Sequence, residues 1–128
     1  MGNNKKVLVV DDEAHIRRVI EVKLKKRGYQ VITAINGKEG LNLIKTQKPD
    51  VVISDIMMPE MDGKTLCKLT NSLKKEQSFL TIIITCRISA DEESWTDDMQ
   101  DTLFIEKPFS PSRLVECIDQ YFGGPSAK

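Results

Sequence analysis

The sequence predicts an α/β domain built on a parallel sheet with helices on both faces. Three observations predict it. Short, fully apolar runs alternate with segments of helical periodicity, several of those runs end abruptly in acidic or hydroxyl residues, and no internal repeat or low-complexity segment competes with the alternation. At 128 residues the chain fits a single domain, 1–128, with its core over 6–122. A chain of that length buries about two-thirds of its unfolded surface and needs neither disulfide nor structural metal to fold.

Taken in order, Val7 to Val10 is an aliphatic run that ends in Asp11, Asp12 and Glu13. From Ala14, Ile16, Val19, Ile20 and Leu24 recur at helical spacing, and Gly28 supplies a left-handed stop. Tyr29 to Ile35 is short and rich in β-branched residues; Asn36-Gly37 punctuates it before a helical pattern carried by Leu41 and Ile44 and halted by Pro49. Val51 to Ser54 is a buried strand that delivers Asp55, followed by a loop with Pro59 and Gly63. Leu66, Leu69 and Leu73 mark a third helix. Phe79 to Ile84 is the most β-prone run and ends at Thr85, whereas the fourth helical segment, Ser89 to Met99, has only Trp95 and Met99 for a stripe. Leu103 to Ile105 is the last strand, before Glu106-Lys107-Pro108. Ser110 then caps a fifth helix with Pro111 at its first position and an apolar face of Leu114, Val115, Ile118, Tyr121 and Phe122, and the tail, 123–128, is expected to be disordered.

Composition narrows the function classes. Nineteen basic and nineteen acidic residues cancel, so no net positive field recruits nucleic acid or an anionic membrane. The three cysteines, Cys67, Cys86 and Cys117, are odd in number and far apart, which argues for reduced thiols rather than a disulfide framework or zinc site. No apolar run approaches membrane-spanning length, the first residues carry no signal-peptide core, and Lys6 stands where a myristoylation motif wants Ser or Thr. The expected setting is cytoplasmic.

In a parallel α/β sheet, ligands bind beyond the carboxyl ends of the strands, and there the sequence places Asp11, Asp12, Asp55, Thr85 and Lys107. Singly, each has a plainer explanation: on its own window Asp55 is at least as well read as a helix cap or turn residue, and a lysine before proline is usually solvated. Together they change the balance. Three carboxylates on one edge repel one another unless a cation intervenes, and an all-oxygen donor set selects a hard divalent ion, Mg2+ foremost. Lys107 adds a point charge for a phosphate oxygen and Thr85 a hydroxyl donor. A carboxylate nucleophile, a metal, an ammonium and a hydroxyl suit phosphoryl transfer onto Asp55.

Asp-Asp-Glu after the first strand, Asp55 followed by Met-Met-Pro-Glu-Met-Asp-Gly, Ile-Ile-Ile-Thr at the fourth strand and Lys-Pro-Phe after the fifth resemble the receiver domain of two-component response regulators. The resemblance runs from about Lys6 to Phe122. It implies a flavodoxin-like, doubly wound five-stranded sheet of order 2-1-3-4-5 with five helices, phosphorylation of Asp55 by a histidine kinase or phosphotransfer protein, and dependence on Mg2+. It also implies metal ligation by Asp11, Asp12, Asp55 and the backbone carbonyl of Met57, pairing of Lys107 with the phosphoryl group, and a cis Lys107-Pro108 peptide. Thr85 and Phe104 fall at the hydroxyl and aromatic switch positions, which bias a surface formed by the fourth helix, fifth strand and fifth helix; Phe104 reads equally well as ordinary core. An output protein or domain is implied, and a phosphorylation-linked homodimer is compatible with the class.

The sequence departs from the usual pattern at Cys86, where a small alanine is common, and at Met99-Gln100-Asp101, where Gly-Ala-Asp is common. Arg87 and Met57 occupy places that in this family modulate water access to the phosphoryl group. Cys86 is better read as a packing residue than a redox sensor, His15 as solvated, and the run Lys23, Lys25, Lys26, Arg27 as a solvated helix face before a kinase-docking one. Trp95 divides evenly between packing and anchoring a partner. Rival functions are a phosphorelay intermediate that passes its phosphoryl group to a histidine phosphotransfer protein, a degenerate module, and a flavodoxin-like cofactor binder. The last is weakened because Asp11 and Asp12 stand where a phosphate-binding loop would be.

Overall fold

The computed structural model describes residues 5–55, 79–85, 102–106 and 110–122. Five strands, β1 (Lys6–Val10), β2 (Gln30–Ala34), β3 (Val51–Asp55), β4 (Leu80–Thr85) and β5 (Thr102–Glu106), form one sheet of order β2-β1-β3-β4-β5. All four neighbouring pairs are parallel. This is the order that the resemblance implies. Three helices accompany the sheet among the described residues: α1 (Ala14–Lys26), α2 (Gly37–Gln47) and α3 (Pro111–Tyr121). The helices expected around Leu66–Leu73 and Ser89–Met99 lie outside the described residues, as does the tail, so α3 corresponds to the fifth helix of the sequence reading.

Strand alternation sorts the core into two layers. Val7, Val9, Val51, Ile53, Leu80, Ile82 and Ile84 face α1 and α3, where Ile20, Leu24, Leu114, Val115 and Ile118 meet them. The intervening residues Leu8, Val10 and Val52 face the other way, onto Ala34, Ile44 of α2 and Phe79. The two flanking layers leave the central strands β1 and β3 largely apolar rather than alternating with polar residues, as the middle of a doubly wound sheet requires.

Local chemistry sets the ends of the helices. At the carboxyl end of α1, Gly28 adopts φ 91°, and the N–H groups of Gly28 and Tyr29 donate back to the carbonyls of Lys25 and Leu24, a Schellman closure that only glycine enters without strain. Asn36, read from sequence as turn punctuation, is the N-cap of α2. Its side chain accepts from the Glu39 N–H at 2.8 Å, and the Glu39 carboxylate reaches back to the Ile35 N–H at 2.8 Å. That capping places Ile35 outside β2 and half-exposed, correcting the expected strand end. α2 ends at Gln47, because Lys48, disfavoured in the right-handed helical region by the following Pro49, takes φ 49°. Ser110 caps α3 as expected, accepting from the Arg113 N–H at 3.3 Å.

Two further expectations are corrected. β5 extends one residue at each end beyond Leu103–Ile105, and the buried stripe of α3 is Leu114, Val115, Ile118 and Asp119, with Tyr121 exposed. The stripe advances by 3.6 residues per turn, so a buried carboxylate, not the tyrosine, occupies its last turn.

Candidate functional site

The sheet order defines where a site belongs. From β1 the chain crosses to β2 on one side and later to β3 on the other, so the carboxyl ends of β1 and β3 flank the switch point. Asp11 and Asp12 directly follow β1, and Asp55 is the last residue of β3. Asp11 is 2 % exposed and Asp55 6 %, whereas Asp12 is exposed. One carboxylate oxygen from each residue lies within 4.8 Å of the other two. This confirms that the three acids converge, as the sequence reading expects.

The surrounding bonds hold that arrangement. The Asp11 N–H donates to the Ala34 carbonyl at 3.1 Å, which continues the β1–β2 ladder one residue past the strand. Its side-chain Oδ1 accepts from the Glu13 N–H at 2.9 Å, and its carbonyl accepts from Arg17 Nη1 at 2.7 Å. Arg17 thereby ties the first turns of α1 to the end of β1, a role not singled out from sequence. At β3, Ser54 Oγ donates to the Asp55 carbonyl at 2.9 Å, and Asp55 stands opposite Ile84 in the ladder. Two nearly buried carboxylates and a third at their mouth make an oxygen-only donor set whose mutual repulsion a hard divalent cation relieves. The residues fit Mg2+, which keeps bound waters and can accept further oxygen ligands from a phosphoryl group.

Thr85 ends β4 opposite Glu106, one residue beyond the register partner of Asp55, and Phe104 pairs with Ile83 on the edge strand β5. Lys107 follows the last residue of β5 in sequence. Lys107 itself, with the cis peptide expected after it, Met57, Cys86, Arg87 and Trp95 lie outside the described residues. His15 is exposed on α1, as expected.

Sequence reading also missed a buried polar cluster away from the acids. The Asp119 carboxylate of α3, 4 % exposed, accepts from the Tyr29 hydroxyl and from Arg27 Nη2, joining α3 to the end of α1 and the start of β2. Burial, reinforced by the hydrogen bond to and the charge of Asp119, pushes the Tyr29 hydroxyl far above its ordinary pKa of 10.0. The available signal was an acid at the fourth position of an otherwise apolar helical stripe.

Comparison with known proteins agrees with this geometry. The family model for the response regulator receiver domain matches residues 7–119. The chain belongs to the response regulator receiver domain family. It is 42 % identical over 120 residues to a probable transcriptional regulator, ycf27, of Porphyra purpurea, covering 89 % of this chain and 46 % of that protein. It is 37 % identical over 115 residues to the alkaline phosphatase synthesis transcriptional regulatory protein PhoP of Bacillus subtilis, covering 87 % and 45 %. The chain thus spans about half the length of the curated relatives it matches. Among solved structures it resembles the chemotaxis protein CheY4 of Vibrio cholerae, with TM-score 0.82 and 30 % identity over 92 % of this chain and 98 % of that one. The receiver domain of Francisella response regulator 1452 aligns with TM-score 0.78 and 34 % identity over 93 % and 97 %. A receiver domain is a signalling module of two-component systems rather than a conventional enzyme.

Proposed function

We propose that this chain is a phosphoacceptor switch in which Asp55 receives a phosphoryl group from a histidine kinase or phosphotransfer protein. The observation that carries the reading is the convergence of Asp11, Asp12 and Asp55 at the switch point of the sheet, in a chain of the receiver family. An Asp55 carboxylate oxygen attacks the donor phosphorus in line; the O–P bond forms as the P–N bond to the donor imidazole breaks, and the imidazole takes up a proton. Asp11, Asp12, the Asp55 carboxylate and the Met57 carbonyl would hold Mg2+, which when bound would neutralise charge on the phosphoryl oxygens, and Lys107 would pair with one of those oxygens. Burial of Asp11 and Asp55 limits the water that competes for these contacts.

Thr85 and Phe104 form the switch pair: the hydroxyl turns toward the new phosphoryl group and the ring follows. The surface of the fourth helix, β5 and α3 changes as a result, and an output domain or partner reads the change. Transcription control is the output toward which the names of the relatives point, and the cytoplasm is the setting in which a kinase and such an output meet. No helix among the described residues is long and apolar enough to cross a membrane.

The test is incubation of the purified chain with Mg2+ and acetyl phosphate, followed by intact-mass measurement. A phosphoryl increment that disappears in Asp55→Asn and when the metal is chelated supports the reading. Absence of an increment with any small-molecule donor or kinase would leave a degenerate module in its place.

A further inference from the structure

The two acids that follow β1 are not held alike. Asp11 is 2 % exposed, and its backbone N–H, backbone carbonyl and Oδ1 are bonded to Ala34, Arg17 and Glu13 respectively. Asp12 is exposed, and among the described residues its carboxylate has neither hydrogen bond nor ion pair. What aims Asp12 is therefore its backbone, which begins in the peptide whose oxygen Arg17 grips.

The Asp11 carbonyl, the Asp12 N–H and the Asp12 Cα share one peptide plane, so fixing the oxygen fixes the other two. Arg17 Nη1 donates to that oxygen at 2.7 Å, a charge-assisted bond from a half-buried side chain. The β1–β2 ladder stops short of it: the ladder reaches the Asp11 N–H, β2 ends at Ala34, and the Ile35 N–H is taken by the Glu39 carboxylate. Arg17 is anchored in turn, since its own N–H donates to the Glu13 carbonyl at 3.1 Å in the first turn of α1.

Charge and position act in opposite directions at this spot. The guanidinium repels a divalent cation held by the acids, whereas its bond to the carbonyl presents a ligand to that cation. A charge pair in a partly solvated setting shifts an equilibrium by under about fivefold. Groups that orient the ligands of a metal shift its affinity by about 10–100-fold, so orientation wins. We propose that Arg17 is a positioning residue of the divalent-cation site, holding the Asp11–Asp12 peptide so that the exposed Asp12 carboxylate is presented to the ion. The inference rests on the reading of the three acids as a Mg2+ site and adds a residue that the reading does not use.

The experiment is NMR on the whole chain, combining amide relaxation without metal and titration with MgCl2 at constant ionic strength. Arg17→Met keeps the aliphatic length and removes charge and donors; Arg17→Lys keeps the charge and a donor. In the metal-free chain, Arg17→Met lowers the order parameter of the Asp12 amide while the β1 and β3 amides keep theirs. The same variant raises the Mg2+ Kd about tenfold, and Arg17→Lys recovers part of that loss. In an Asp12→Ala background Arg17→Met changes Kd by less than about twofold, because the side chain it aims is gone. Tighter Mg2+ binding in Arg17→Met would show charge alone at work and overturn the proposal. So would an unchanged Asp12 amide, an unchanged Kd, a loss of equal size in the Asp12→Ala background, or loosening spread evenly over β1 and β3. A wild type without a saturable Mg2+ response refutes the metal reading and this proposal with it, whereas a wild type that binds Mg2+ beside variants that bind it equally well refutes the proposal alone.

Discussion

Removing the carboxylate of Asp119 tests whether the cluster it forms fastens the last helix to the rest of the domain. In Asp119→Ala the Tyr29 hydroxyl, on a residue only 4 % exposed, loses its acceptor. A buried unsatisfied hydroxyl costs about 1–3 kcal/mol, and the lost hydrogen bond to a charged acceptor falls in a similar range that overlaps rather than adds. The Arg27 side chain is 43 % exposed, so after the substitution it returns to water and its ion pair contributes under about 1 kcal/mol once screening is counted. The total is about 1–4 kcal/mol, a sizeable fraction of the ~5–15 kcal/mol that holds a domain of this size together. Urea denaturation of the wild type, Asp119→Ala, Tyr29→Phe and Tyr29→Phe/Asp119→Ala, followed by circular dichroism, measures the cost and the coupling. A coupling of about 1 kcal/mol or more between positions 29 and 119 is expected. The same cluster has a pH signature. Because the folded state raises the Tyr29 pKa above 10.0, the stabilisation is fully present below that pH and is lost as the hydroxyl ionises at still higher pH; Tyr29→Phe removes this alkaline loss. A cost under about 0.5 kcal/mol for Asp119→Ala, typical of a surface substitution, would refute the reasoning.

Other predictions follow from the site and the caps. Asp11→Asn and Asp12→Asn each weaken Mg2+ binding at least about tenfold by isothermal titration, because each removes one charge from an oxygen-only donor set. Asn36→Ala destabilises the fold by about 1 kcal/mol in chemical denaturation, since the Glu39 N–H loses its acceptor, and leaves Mg2+ affinity unchanged. Met57→Asn and Arg87→Ala alter the dephosphorylation rate of the phosphorylated chain; if both leave that rate unchanged, these residues do not govern water access to the phosphoryl group.

Much of this was legible in the sequence because the relevant signals were local or repeated. Short runs, Val7 to Val10 before Asp11 and Val51 to Ile53 shortly before Asp55, could be read as buried strands delivering acids, and parallel pairing then left one edge of the sheet for both. Ser110-Pro111 and Gly28 marked helix ends through backbone restrictions that no tertiary contact needs to supply. What escaped depended on partners distant in sequence or on ambiguous local chemistry. Asp119 finds Tyr29 at a separation of 90 residues, so nothing beside it in the chain announces a buried carboxylate. Asn36-Gly37 suits a turn as well as an N-cap, and only the reciprocal bonds of Glu39 decide between them. Arg17 reads as one more solvated helix charge until its guanidinium meets the Asp11 carbonyl.

The central claim is that Asp55, and no neighbouring group, accepts the phosphoryl group. Digestion of the chain after reaction with acetyl phosphate and Mg2+, with the modified residue assigned by tandem mass spectrometry, tests it most directly. The account predicts the phosphoryl group on Asp55 alone and none anywhere in the Asp55→Asn protein. Modification of Asp11, Asp12 or His15 in place of Asp55, or undiminished labelling of Asp55→Asn, would contradict it.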